Sequence, residues 1–214
     1  MVVVAGISLR RRLGLERSLA EATVRAVAQL VLAGWALTLL LDGDTPMVWA
    51  WAWVVAMVPA AGDAARRREP RLAGLGWMTA VGASLGLGVS LATVFALGIL
   101  PLEARVLVPV SGMVVGNSLK VVVVAAARLV DGLRDRAGEV EALLALGFRP
   151  AWAVRDVASD ALRLALLPQI ETTRSVGVVF LPGALTGLIL AGVDPIQAAL
   201  VQAALLFLIL GTAA

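Results

Sequence analysis

Cysteine and histidine are both absent from this 214-residue chain, and lysine occurs once, at Lys120. Without them there are no disulfides, no thiolate chemistry, no imidazole base and none of the usual nitrogen or sulfur metal sites. Any metal handled here must meet oxygen ligands or methionine sulfur. Met47, Met57, Met78 and Met113 are scattered, as gap-filling packing residues are, rather than gathered into a soft-metal track. No glycine-rich loop ends in Gly-Lys-Ser or Gly-Lys-Thr, so the chain cannot hold a nucleotide as a P-loop ATPase does. An intramembrane enzyme would need an acid–base or nucleophile constellation, and neither His, Cys nor paired carboxylates within the apolar segments supply one.

What is present points to a membrane. Hydrophobic residues make up 60% of the chain and charged residues 15%, where soluble domains have roughly 45–50% and about 25%. At 214 residues the chain is too short for a two-half transporter. It has room for about six or seven spans of roughly 20 residues, so assembly with a second copy or with partners is expected.

Met1 to Leu9 is an apolar stub followed by Arg10-Arg11-Arg12. It reads as the cytoplasmic end of a span whose beginning is missing, because in a signal peptide the basic residues would precede the apolar run. Full spans are expected at Ala26–Leu41, Pro46–Ala61, Gly74–Leu100, Val106–Ala127, Ser175–Ala191 and Ile196 to the end. The first starts near Ser18 with a Glu21–Arg25 pair and ends at Asp42-Gly43-Asp44. Trp49, Trp51 and Trp53 form an aromatic interface belt. Gly82, Ser84, Gly86 and Gly88 offer a small-residue face for close helix packing. The expected architecture is all-α, a polytopic transmembrane bundle formed by residues 1–214 as one domain.

Basic residues set the orientation. Arg10, Arg11, Arg12, Arg17, Arg66, Arg67, Arg68, Arg71 and the seven arginines from Arg128 to Arg174 fall on one side of this alternating topology, which marks that side as cytoplasmic. The opposite loops hold Asp42, Asp44, Glu103 and Asp194 against Arg105 alone. A multi-pass protein of the plasma membrane with a cytoplasmic C-terminus follows. The net charge of +3 and pI of 10.8 reflect this asymmetry; they do not indicate nucleic-acid binding, which would call for a basic soluble domain.

The polar interval 128–174 is the one long charged stretch. Leu129 to Leu146 alternates apolar and charged residues at helical spacing, Gly147 is a natural helix stop, and Pro150 opens the next helix. A second amphipathic helix is expected over Ala151–Leu167, broken by Pro168. The product is a helical elbow in the cytoplasm. It suits docking onto a partner, or lying on lipid headgroups through its arginines and leucines.

Polar groups within the spans are functional candidates because each is costly there unless paired or hydrated. Asn117 and Lys120 share a helix face, and Glu171 and Arg174 sit at the entrance of the Ser175 span. Leu181-Pro182-Gly183 interrupts an apolar run, as broken helices lining transporter cavities do. Structural readings stand beside each: Asn117 bonding to another helix, Lys120 snorkelling or pairing with an acid, Glu171–Arg174 as an interfacial pair, and Pro182 as a packing kink.

From about Arg25 to the C-terminus the chain resembles the Fet-type permease family, small ATP-binding-cassette membrane subunits associated with bacterial iron export and, in plants, with aluminium tolerance. The motifs that carry the resemblance are Leu146-Gly147, Pro150, Asp160, Arg163 and Pro168, then Glu171, Arg174-Ser175-Val176-Gly177, Leu181-Pro182-Gly183, Gly187-Leu188-Ile189 and Ala191-Gly192-Val193-Asp194-Pro195. Departures are Glu171-Thr172-Thr173-Arg174, where the family favours Asp with Lys or Arg; Phe180, where it favours Ser; the lack of an amide near Pro59 and Ala60; and Lys120.

The resemblance implies a permease that pairs with a second copy and two ATPase subunits. ATP and Mg would be bound by the ATPase and no cofactor by this chain. Glu141, Ala142, Leu146, Gly147, Phe148 and Pro150 would form the ATPase-coupling elbow, and Asn117, Lys120, Glu171, Arg174, Pro182 and Gly183 are translocation-path candidates. The implied cargo is a metal ion such as iron, exported. No metal ligands are identified. An ATP-independent channel or secondary transporter is the alternative.

Overall fold

A computed structural model of the chain describes residues 16–40, 46–177 and 180–213. The stub Met1 to Leu9, Arg10-Arg11-Arg12 and Asp42-Gly43-Asp44 lie outside them. The described residues form nine helices: α1 (Glu16–Leu40), α2 (Met47–Arg68), α3 (Leu75–Ala96), α4 (Ala104–Asp135), α5 (Ala137–Ala145), α6 (Pro150–Ala153), α7 (Arg155–Ser175), α8 (Gly183–Leu190) and α9 (Pro195–Ala213). The architecture is an all-α transmembrane bundle. Helices α2, α3, α4 and α9 are long and apolar enough to cross a membrane, and α1 holds a shorter apolar stretch, Thr23–Leu39. Two units divide the chain, Met1–Trp49 and Ala50–Ala214. In the first, Glu21 and Arg25 make no ion pair with each other.

The second unit is built around α4, which packs against α3, α7 and α9. Its inward residues, Leu107, Val110, Ser111, Val114, Ser118 and Val121, recur every three or four positions and are buried. Helix α7 presses on it with small side chains one turn apart, Val157, Ala161 and Ala165. The approach is tightest at Gly132, where a Cβ would sit 2.8 Å from a Val157 methyl. Helix α3 buries Leu75, Thr79, Ala83, Leu87 and Leu91, again one stripe. Between apolar helices in lipid, close packing of this kind supplies the association that hydrophobic burial supplies in water.

Several boundaries differ from the sequence expectation. Pro168 does not end a helix: α7 runs through it to Ser175. A proline that deletes one backbone bond is tolerated where neighbouring helices hold both halves in place. The amphipathic helix expected over Leu129–Leu146 is the end of α4 plus the separate α5, with a break one residue wide at Arg136. The helix expected over Ala151–Leu167 is likewise divided, at Val154. Ser175–Ala191 is not one spanning helix. Gly177 has a left-handed backbone, Val176 and Phe180 form an isolated bridge, and α8 starts afresh at Gly183 with Pro182 as its cap.

Of the small residues on α3, Gly86 seats the Thr212 side chain of α9, beside a 2.6 Å hydrogen bond between the Ser90 and Thr212 hydroxyls, whereas Gly82 and Gly88 have open space above them. The closest backbone approach is at Gly62 and Gly76, a pair the sequence reading did not single out. A Cβ on Gly62 would lie 2.6 Å from the Gly76 carbonyl oxygen, and one on Gly76 2.9 Å from that of Gly62. Because the obstacle is backbone, Gly62→Ala must push α2 and α3 apart. It should lower unfolding stability in detergent by about 1–3 kcal/mol, with Gly88→Ala, which enters open space, as the unaffected control.

Candidate functional site

Two features of the second unit bear on function: the elbow between α4 and α7, and a cavity beside α4. In the elbow, α5 ends in a Schellman arrangement. Gly147, at φ +87°, donates its N–H to the Leu144 carbonyl at 3.0 Å, and Phe148 donates to Leu143 at 3.1 Å. Arg149 is extended, as the residue before a proline must be, and Pro150 takes the first position of α6, where its missing N–H costs nothing. The chain is thereby turned sharply by backbone chemistry alone.

Helix α5 buries none of its residues. Glu141, Ala142, Leu146, Gly147, Phe148 and Pro150 are all exposed, so the structure gathers the six coupling candidates on one accessible turn. Leu146 is 76% exposed, and Phe148 stacks on Trp152 with ring centroids 4.3 Å apart, both rings open to the surroundings. Trp152 escaped the sequence reading; its spacing of four from Phe148, in a turn held by Pro150, was the available signal.

Ion pairs root the elbow. Arg136, at the break before α5, donates to Asp160 of α7 at 2.8 Å. In the loop after α2, Arg71 donates from Nε and a terminal nitrogen to both carboxylate oxygens of the buried Glu69, each at 2.7 Å, and its other terminal nitrogen reaches Asp131 of α4 at 2.8 Å. These bonds hold the Glu69 carboxyl below its ordinary value and the Arg71 guanidinium above its own. The loop between α2 and α3 is thus bolted to the end of α4 from which the elbow springs.

The cavity, about 690 Å³, lies among α4, α7, α8 and α9. Helix α4 contributes Met113, Asn117 and Lys120; α7 contributes Pro168, Gln169 and Thr172; Pro182 and Gly183 come from the α8 start; and Gln202 comes from α9. Four of the six translocation-path candidates, Asn117, Lys120, Pro182 and Gly183, therefore meet at one void. Glu171 and Arg174 do not line it; they form an exposed pair at 2.8 Å. Asn117 does not bond across to another helix: its amide donates to Met113 O of its own helix at 2.8 Å. Lys120 makes no ion pair with any described residue.

Gln202 was missed by the sequence reading. It is buried, and its side-chain oxygen has no hydrogen-bond partner among the described residues. An amide seven residues into the apolar C-terminal span, past Gln197 at its start, was the signal. Among the described residues no three acidic side chains are gathered as a metal site.

The last of the resemblance motifs is turn chemistry. Gly192 and Val193 cap α8 with the same pair of bonds as Gly147 and Phe148, and Asp194 accepts from the Ile196 and Gln197 N–H groups at 2.9 and 3.2 Å to start α9.

The profile of the Uncharacterised protein family (UPF0014) matches residues 1–214. The chain is 32% identical to UPF0014 membrane protein YjkA of Bacillus subtilis over 214 residues, covering 100% of this chain and 85% of that one. It is 32% identical to UPF0014 membrane protein STAR2 of Oryza sativa (99% and 74% covered), and 28% identical to the Probable iron export permease protein FetB of Escherichia coli (100% and 82% covered). No solved structure matches the chain.

The Glu69 clamp predicts acid sensitivity. A carboxyl held below its ordinary value of 4.5 contributes stability that is fully present above that pH and lost as pH falls through the lowered value. Arg71→Gln removes the cause, so its acid-unfolding midpoint should move to higher pH than wild type. Coincident midpoints in a tryptophan-fluorescence titration would count against the clamp.

Proposed function

The chain belongs to the UPF0014 family, and we propose that it is the permease subunit of an ATP-driven exporter, working as a pair of copies with two cytoplasmic ATPase subunits. ATP and Mg belong to the ATPase. The elbow is the coupling element: movement of the ATPase is passed through Glu141 to Gly147 and Phe148 into α4 and α7, and from there to the walls of the cavity. The cargo is a metal ion such as iron and the direction is outward. The relative named as a probable iron export permease, matched over the whole of this chain, supports this reading.

The observation that carries the proposal is the elbow. A two-turn helix with no buried residue and an exposed aromatic pair is costly to leave in water, yet it is braced on both sides, by Arg136–Asp160 and by Arg71–Asp131. A rigid apolar tip on an ion-paired root suits seating in a partner's groove and passing force. Bending of the elbow on contact would dissipate that force; the Gly147 stop and Pro150 start limit it.

Because the chain has no cysteine, Phe148→Cys gives a single crosslinking position. Crosslinking in native membranes followed by mass spectrometry should recover an ATP-binding-cassette ATPase; recovery of lipid-facing protein alone at every linker length would mean that the elbow lies on the membrane surface. Gly147→Ala places a Cβ at a left-handed position, costing about 1–2 kcal/mol. It should reduce ATPase recovery with the membrane bundle still folded.

A further inference from the structure

The chemistry of the cavity is that of an anion site. None of its lining residues is acidic, and its one charged group, Lys120, is without an acidic partner among the described residues. Asn117 and Gln169 add neutral amides, and Thr172 a hydroxyl. A bare divalent or trivalent cation entering here would trade its hydration shell for amides, a hydroxyl and a nearby ammonium, which repels it.

Size argues the same way. A water occupies about 30 Å³, so a 690 Å³ cavity open to its surroundings has room for more than an ion with six waters. A metal complexed by small organic ligands fits. Gln202, a residue 6% exposed, adds a third amide-bearing side chain to the wall, its side-chain oxygen sealed from the open space.

We propose that the cavity takes its cargo as a negatively charged metal complex, such as one with small carboxylate ligands, with Lys120 against its anionic groups. This rests on the permease reading and names the form in which the metal is carried. Lys120 sets the charge preference. The repulsion that disfavours a free cation is the attraction that selects its anionic complex.

The test uses the full chain in lipid nanodiscs and three probes: ferric citrate, citrate alone and ferrous ion in non-chelating buffer. Ferric citrate should bind wild type and weaken with added salt. Lys120→Gln, a change at an exposed position that should leave the fold intact, should weaken binding about tenfold or more, and Lys120→Arg, which keeps the charge, should stay within about threefold.

Failure of ferric citrate to bind, equal binding by Lys120→Gln, or ferrous-ion binding that tightens in Lys120→Gln would each overturn the proposal. The Phe148→Cys crosslink is scored on the same protein in membranes. ATPase capture without ferric citrate binding leaves the permease and removes the anionic cargo. Ferric citrate binding that depends on Lys120 without ATPase capture does the opposite.

Discussion

The packing of α7 along α4 is the contact on which the rest of the second unit depends. It is made by small residues, Gly132 on one helix and Val157, Ala161 and Ala165 on the other, which bring the two backbones close. Dispersion falls off steeply with gaps of even an ångström, and no hydrophobic gain from leaving water is available between helices in lipid. Close approach is therefore the source of cohesion. Because the elbow is the connection between these two helices, their packing also fixes where its ends stand.

The same pair places the polar groups. Asn117 and Lys120 lie on α4, and Gln169 and Thr172 on α7 beyond the Val157 stripe, so the seam that holds the helices together opens into the cavity. Pro168 sits where the seam opens. It leaves the Leu164 carbonyl without its usual backbone donor and puts a ring where a side chain would have packed. The sequence reading treated it as a terminator, which is how proline acts in a helix free in water. Here the stripe of small residues on one side of it and the cavity wall on the other keep the helix continuous.

What could be read from the sequence was chemistry local to a few residues. The Gly147 stop, the Pro150 start and the Glu171–Arg174 pair depend on neighbours within about four positions, and the spanning character of α2, α3, α4 and α9 on one continuous apolar run each. What could not be read depends on distant partners. Gly62 meets Gly76 across two antiparallel helices, Arg71 meets Asp131 sixty residues away, and Gln202 meets the face carrying Asn117 only because α9 packs on α4. Ser175–Ala191 failed for another reason: an apolar run alone does not distinguish one helix from two joined by an extended step, and only the left-handed Gly177 with the Pro182 cap decides.

A span broken inside a bundle must satisfy its backbone without water. Between Ser175 and Gly183 the chain does so locally. Gly177 donates to the Phe180 carbonyl at 2.9 Å and Phe180 donates to Ser175 at 3.3 Å, while the Thr186 hydroxyl reaches back to the Gly183 carbonyl at 3.0 Å. The elbow and the break sit at opposite ends of α7, the elbow braced by ion pairs. One continuous helix joins them, and Pro182 and Gly183 meet the cavity beyond its far end. That arrangement, with an exposed turn at one end of α7 and a cavity wall at the other, comes from where the chain places proline and glycine.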